Sequence, residues 1–348
     1  MTTMTTPLPL AGSGNAMPAP VLPSSRRGIR RLLRTALQLF YTLIALSSII
    51  FVALHAYLAW TLSHPPVATF GSNPMLAKSL PYSDVTFPSA DNKTQVDGWW
   101  IPSTASRSTV VLSHGYGANR EELWVPMYDL AERLHNENYN VLMFDYGFAS
   151  TKHSTPATGG IIESQQLIGA IQYARGQGSD ELIVWGFSMG AGTALQAALL
   201  GVPVDAMILD STFIPDSDTI YGNILNWVHI PKYPSLTLVE LFFPLMSGVR
   251  LEQIPSTRIQ DTAYDFPLLL IHGTADDKAP TSISEHIAKS QKNALSQLWV
   301  VPGAIHEMIY RTHTAEYVQR TDSFLKQVHA GALAKAHSSD TAQASNSA

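Results

Sequence analysis

Gly186-Phe187-Ser188-Met189-Gly190 decides the fold of this chain. It lies between the apolar run Glu181-Leu182-Ile183-Val184-Trp185 and the small-residue stretch Ala191-Gly192-Thr193-Ala194-Leu195. That order reads as strand, tight turn and helix, with a serine at the apex. A serine hydroxyl is a weak nucleophile unless it is exposed beside a base. A sharp strand-to-helix turn holds it in a strained conformation above the strand ends. The two glycines let strand and helix approach without a Cβ between them. The plainer reading is a small-residue helix start with Ser188 as its cap.

Working outward, the body alternates strand and helix. Tyr82–Phe87 and Val96–Pro102 read as strands around the turn at Ala90-Asp91-Asn92. Thr109–Ser113 is a β-branched run that ends at His114-Gly115, residues 121–138 have helical spacing, and Asn140–Tyr146 is a further buried strand. Ile161–Ala174 is helical, and strand Ala206–Asp210 follows the helix after Ser188. Pro267–His272 and Gln297–Pro302 are strands flanking a helix at Thr281–Lys292, with a last helix from about Thr314 to His329. Such alternation builds an α/β fold, a mostly parallel sheet with helices on both faces. Active sites in these sheets gather at the carboxyl ends of the strands. Ser188, His114, Asp145, Asp210, Asp276 and His306 all fall there.

Residues 211–265 break the rhythm with aromatic residues and prolines, among them Phe213, Tyr221, Trp227, Tyr233, Phe242 and Phe243. An aromatic insertion over a strand-end site suits a small lid or acyl-binding wall. Ordinary packing against the sheet is the alternative.

Ser188 needs a base, and the base needs an orienting acid. His306 follows the last strand and Asp276 the strand before it, giving the chain order Ser, Asp, His. Asp277 is the neighbouring rival, but the residue nearer the strand end is better placed to reach the histidine. Asp210 ends a strand too, and Ser211-Thr212 after it suggests turn hydrogen bonding. His272 is read as supporting the Asp276 loop through a backbone bond. His313 lies beyond the histidine loop, and Asp145 reads as a structural turn-former. An oxyanion hole needs two backbone N–H donors. Met189, at a helix N-terminus, supplies one, and Tyr116 in the loop Ser113-His114-Gly115-Tyr116-Gly117-Ala118-Asn119-Arg120 is expected to supply the other. A purely structural glycine-rich turn is the alternative for that loop. No HExxH pattern occurs. No catalytic metal and no cofactor are expected.

The 348 residues carry a net charge of −5 and no cysteine, which excludes disulfides and thiolate chemistry. The charge is uneven. Residues 1–62 hold five arginines, Arg26, Arg27, Arg30, Arg31 and Arg34, and no acid, so the remainder is acidic. Nothing in that acidic body suggests a nucleic-acid surface. Between Thr35 and Ser63 the only titratable group of acid or base type is His55. A bilayer core of ~30 Å needs ~20 apolar helical residues, and this stretch supplies them, with Tyr41, Tyr57 and Trp60 near its ends. A cleaved signal peptide or a buried helix are the competing readings. An uncleaved anchor, with all the arginines before the span, puts the N-terminus in the cytoplasm and the catalytic body on the extracytoplasmic side. The expected organisation is a disordered basic segment at 1–34, a transmembrane helix at 35–63, a linker at 64–80, the catalytic domain at 81–330 with its lid at 211–265, and a disordered tail at 331–348.

Taken together, the His114-Gly115-Tyr116-Gly117 loop, the Gly186–Gly190 elbow, the His272-Gly273-Thr274-Ala275-Asp276 loop and His306 resemble the α/β-hydrolase superfamily over roughly residues 80–330. The chain is most similar to its membrane-anchored or secreted, serine aminopeptidase-like or lysophospholipase-like branch. One departure stands out. Many relatives carry Asp-Tyr-Arg-Gly after the fourth strand, where this chain has Asp145-Tyr146-Gly147-Phe148. The resemblance implies a serine hydrolase working by two-step acyl transfer. Ser188 would be the nucleophile, His306 the base and Asp276 its orienting acid, with the Tyr116 and Met189 amides holding the oxyanion. The expected substrate is a small or lipid-like carboxylic ester. A peptidase or amidase using the same triad is the alternative, and a non-catalytic tethered binding module a third reading.

Overall fold

A computed structural model describes residues 1–4 and 25–346, with side chains resolved over 1–4 and 28–334. Contacts divide the chain into two compact units, Met1–Val52 and Ala53–Ala348.

Helix α1 spans Ser25–Ser63. It begins ten residues before the expected 35, so the segment read as disordered through 34 is helical from Ser25. Arginine is a good helix former, and no proline follows Pro23 before the apolar run. Residues 5–24 lie outside the described residues. Gly28–Ser63 is long and apolar enough to cross a membrane, with a stretch of mean hydropathy 2.2. Helix α2, Pro74–Lys78, is capped by Asn73, whose Oδ1 accepts from Leu76 N–H at 2.9 Å.

Among the described residues, eight strands form one sheet: β1 (Ser83–Pro88), β2 (Gln95–Ile101), β3 (Ser108–Ser113), β4 (Asn140–Phe144), β5 (Glu181–Phe187), β6 (Ala206–Asp210), β7 (Leu268–Gly273) and β8 (Gln297–Val301). Their spatial order is β1-β2-β4-β3-β5-β6-β7-β8. The pairs β1–β2 and β2–β4 are antiparallel, and all later pairs are parallel. The central strands are buried on both faces, hence their continuous apolar runs. Between them come α3 (Met127–Asn136), α4 (Ile161–Gly176), α5 (Met189–Leu199), α6 (Ser217–Leu225), α7 (Lys232–Ser247), α8 (Ser256–Asp261) and α9 (Ser282–Ser290), and after them α10 (Ile309–Thr312) and α11 (Thr314–Asn346).

Strand alternation sorts the core into two layers. Leu182 and Val184 of β5 face α4, α5, α8 and α9 through Leu167, Ala194, Ile259 and Ile287. Ile183, Trp185 and Phe187 point the other way, onto α3, α10 and α11 through Leu130, Ile309, Tyr317 and Phe324. The helix read over 121–138 is shorter at its start, because Pro126 caps α3 and its ring cannot continue a helix backwards. The last helix runs past the expected end near His329 to Asn346, through the alanine-rich stretch Ala330-Gly331-Ala332-Leu333-Ala334-Lys335-Ala336.

The insertion after β6 carries α6, α7 and α8. Its own buried cluster contains Ile220, Ile224, Val239, Phe243, Leu251 and Ile254, together with Ala59 from the last turns of α1. Ile259 of α8 instead joins the main core, so part of the insertion packs as ordinary sheet cover.

Candidate active site

The turn between β5 and α5 places Ser188 at φ 50°, ψ −119°. That region is sparsely populated for a residue with a Cβ, and such strain persists only where the surroundings over-determine it. They do so here. Ser188 N–H donates to Asp210 O at 2.9 Å, and Phe213 N–H donates to Ser188 O at 3.1 Å. A Cβ on Gly186 would lie 2.7 Å from Ala191 Cα, and one on Gly190 would overlap the Ser113 and His114 carbonyls. The elbow therefore needs both glycines, and α5 is pressed directly against the end of β3.

The structure brings Ser188, His306 and Asp276 together. Ser188 Oγ–H points to His306 Nε2 at 2.8 Å, and His306 Nδ1–H to Asp276 Oδ2 at 2.7 Å. Asp276 Oδ1 accepts Lys278 and Ala279 N–H at 2.9 and 2.8 Å. Burial alone would raise the Asp276 pKa, but hydrogen bonds from His272 and His306 outweigh it and hold the carboxyl well below its ordinary range. The side chain of the rival Asp277 is 64% exposed beside Lys278, whereas that of Asp276 is fully buried. His272 Nε2 meets Ala279 O at 3.0 Å, and its Nδ1 meets Ser284 Oγ at 2.7 Å, which braces the Asp276 loop. His313 pairs with its neighbour Thr312 at 2.9 Å, away from the triad.

Met189 is the first residue of α5, so its N–H has no acceptor within the helix. The loop after β3 brings Gly115, the residue before Tyr116, beside the elbow, where a Cβ would lie 3.3 Å from Ser188 Cβ. Tyr116 Oη donates to Thr61 O and Leu62 O at 3.0 and 3.1 Å, anchoring the loop from outside. His114 is buried and pulled by that burial down to a pKa of about 4. It is a neutral strut, accepting Tyr146 N–H on Nε2 at 3.0 Å and facing Gly115 O through Nδ1 at 2.9 Å.

Sequence reasoning missed several residues around this site. Arg120 closes the loop, donating from N–H and Nη2 to the two oxygens of Asp145 at 2.8 and 2.7 Å. Its guanidinium lies 4.9 Å from the Trp99 ring centroid and 5.2 Å from that of Phe70. Tyr317 Oη donates to buried Asp210 at 2.8 Å, Ser211 Oγ to the other Asp210 oxygen at 2.9 Å, and Glu307 N–H to Ser211 Oγ at 3.0 Å. Glu122 and Glu307 are buried beside the triad. Both sit within a few residues of a motif, but only their positive φ, invisible in sequence, marks them.

Chemically, a hydroxyl aimed at an imidazole that is itself fixed by a carboxylate can attack a carbonyl. The chain is 29% identical over 253 residues to the uncharacterized protein YfhR of Escherichia coli (strain K12), covering 70% of this chain and 78% of that one. It is 22% identical over 233 residues to human protein ABHD12B, covering 63% of this chain and 61% of that one. Among solved structures, the Pyrococcus furiosus esterase Pf2001 superposes with a TM-score of 0.61 at 26% identity, over 76% of this chain and 98% of that one. The α/β hydrolase GrgF from Penicillium sp. sh18 shares the fold, with a TM-score of 0.56 at 17% identity over 72% of this chain and 100% of that one. Residues 110–320 match the model described as the alpha/beta hydrolase family, and the chain belongs to that family.

Proposed function

We propose that this protein is a membrane-anchored serine hydrolase that cleaves carboxylic esters of lipid-like character. The observation that carries the reading is the unbroken relay from Ser188 Oγ through His306 to Asp276, at 2.8 and 2.7 Å, on a strained elbow. The Pyrococcus furiosus relative is an esterase on the same fold.

In the first step Ser188 Oγ attacks the ester carbonyl carbon and its proton passes to His306 Nε2. Asp276 stabilises the imidazolium and keeps its tautomer. The Tyr116 and Met189 N–H groups hold the oxyanion. His306 then gives its proton to the departing alcohol oxygen as the C–O bond breaks. Water attacks the acyl-serine, yields a proton to His306, and Ser188 recovers that proton as the carboxylic acid leaves.

Two features favour an amphiphilic substrate. The last turns of α1 share a buried cluster with the lid through Leu58, Ala59 and Leu62. The lid also exposes Trp227, Leu241 and Leu245, the latter two one turn apart on α7. The arginines before the apolar span favour an N-terminus in the cytoplasm and a hydrolase body across the membrane.

The test is turnover by the full-length protein, in detergent and in phosphatidylcholine vesicles. The panel is p-nitrophenyl esters, monoacylglycerols, lysophospholipids and aminoacyl amides, each beside Ser188→Ala. Long-chain ester cleavage lost in Ser188→Ala supports the proposal. A combined Trp227→Ser, Leu241→Ser, Leu245→Ser variant is expected to lose activity on vesicle-borne esters while keeping it on soluble short esters. Cleavage of amides alone would replace the ester reading with an amidase.

A further inference from the structure

Glu122 and Glu307 are two buried acids that the mechanism above does not use. They come from different segments, the loop after β3 and the loop after β8, and meet under Gly115. A Cβ on Gly115 would lie 2.7 Å from Glu307 Oε1 and 3.3 Å from Glu122 Oε1. Each of those oxygens is buried without a hydrogen-bond partner among the described residues. Their second oxygens face the reaction machinery. Glu122 Oε2 accepts the Gly115 N–H at 3.1 Å, and Glu307 Oε2 stands 4.0 Å from His306 Nε2. Both residues are held at positive φ, 34° for Glu122 and 57° for Glu307. Two non-glycine residues strained toward one point indicate a constraint imposed by the site.

Two carboxylates crowded into one dry interior do not both ionise. A proton on an orphaned oxygen removes the charge that burial penalises. Resting on the reading of Ser188 and His306 as the reacting pair, we propose that Glu122 and Glu307 are held protonated and act as an uncharged positioning pair. The pair fixes the His114–Gly115 peptide on one side and faces the catalytic imidazole on the other. A negative charge on it would oppose the oxyanion forming at Ser188.

The surroundings make the proton hard to remove. Asp210 from the end of β6 and Asp276 from the loop after β7 add negative potential. The charge of Arg120 is committed to Asp145, His114 is neutral, and Tyr317 of α11 donates to Asp210. Burial, with Asp210 nearby and against the Gly115 N–H, pushes Glu122 up to about 8. Burial and the charge of Glu122 push Glu307 well above the ordinary carboxylate range.

The experiment compares full-length wild type, Glu122→Gln and Glu307→Gln in detergent, following ester kcat and KM across pH and the infrared band of protonated carboxyl. In wild type, kcat should fall about tenfold or more over the two pH units above the pair's titration, with KM little changed, as one protonated-carboxyl band disappears. Glu122→Gln cannot ionise at that position, so the alkaline fall and the band change should vanish in it, while Glu307→Gln, which keeps Glu122, should retain both. Circular dichroism confirms that the variants are folded. A wild-type alkaline limb retained in Glu122→Gln, or a wild type with no carboxyl proton lost in that range, overturns the proposal. If wild type cleaves no ester, the hydrolase reading fails, and the infrared titration still decides whether the pair holds its protons.

Discussion

Arg120 and Asp145 form a buried ion pair that ties the loop after β3 to the end of β4, with side chains only 7% and 3% exposed. The family pattern would place an arginine two residues after Asp145, where this chain has Gly147. The arginine is supplied instead from the loop that it steadies, and Trp99 and Phe70 pack on its guanidinium. Removing one member strands the other in a dry site. Arg120→Met should therefore lower stability by about 3–5 kcal/mol. The double variant Arg120→Met, Asp145→Asn should recover part of that loss, and denaturant midpoints of the singles and the double measure the coupling. Arg120→Lys should rescue poorly, because a lysine lacks the planar fork.

In the proposed mechanism Asp276, 2.7 Å from His306 Nδ1, holds the imidazole tautomer that Ser188 requires. Asp276→Asn should reduce ester kcat by roughly 10⁴ while the fold survives. Asp277→Asn, one residue away and exposed, should leave kcat within about twofold. Steady-state kinetics on a soluble p-nitrophenyl ester would separate the two positions.

Gly190 sits where α5 meets the carbonyls that end β3. Gly190→Ala forces those backbones apart, so a loss of about 1–3 kcal/mol is predicted, with a larger drop in kcat. Thermal melting and turnover measured on the same preparation would show both effects. An unchanged melting temperature would contradict the packing argument.

Stability should fall on acidification and, through a different group, as pH rises toward about 8, for opposite reasons. Asp276 is held below its ordinary value, so the unfolded chain binds the extra proton, and its contribution is complete above about pH 4 and drains away on acidification. Glu122 is raised to about 8, so the folded chain binds the extra proton over the range above the ordinary carboxylate value. Its contribution is complete below that ordinary value and is lost as pH rises toward about 8. Melting temperatures should thus decline as pH rises from the ordinary carboxylate range toward about 8 in wild type and decline less in Glu122→Gln.

Much of this was legible in the sequence for a physical reason. The central strands are buried on both faces, so β3, β4, β5 and β6 stand out as short apolar runs, and the elbow serine is fixed by glycines on either side. Ser188, Asp276 and His306 each follow a strand, so topology alone carries them to one edge. Contacts between distant segments left no such trace. Nothing in Arg120 names Asp145 as its partner, and nothing in Glu122 or Glu307 reveals a meeting under Gly115. The early start of α1 was hidden because arginine favours helix without contributing apolar periodicity. Pro126 marked the true start of α3, but the apolar spacing of Leu123 and Val125 masked it.

The central claim is that Ser188 is an activated nucleophile, and reaction of the full-length protein with a fluorophosphonate probe tests it most directly. Wild type should be labelled at Ser188, with mass spectrometry locating the adduct, and Ser188→Ala should remain unlabelled. A folded wild type that takes no label in either detergent or vesicles, or a Ser188→Ala protein that labels equally well, would contradict the account.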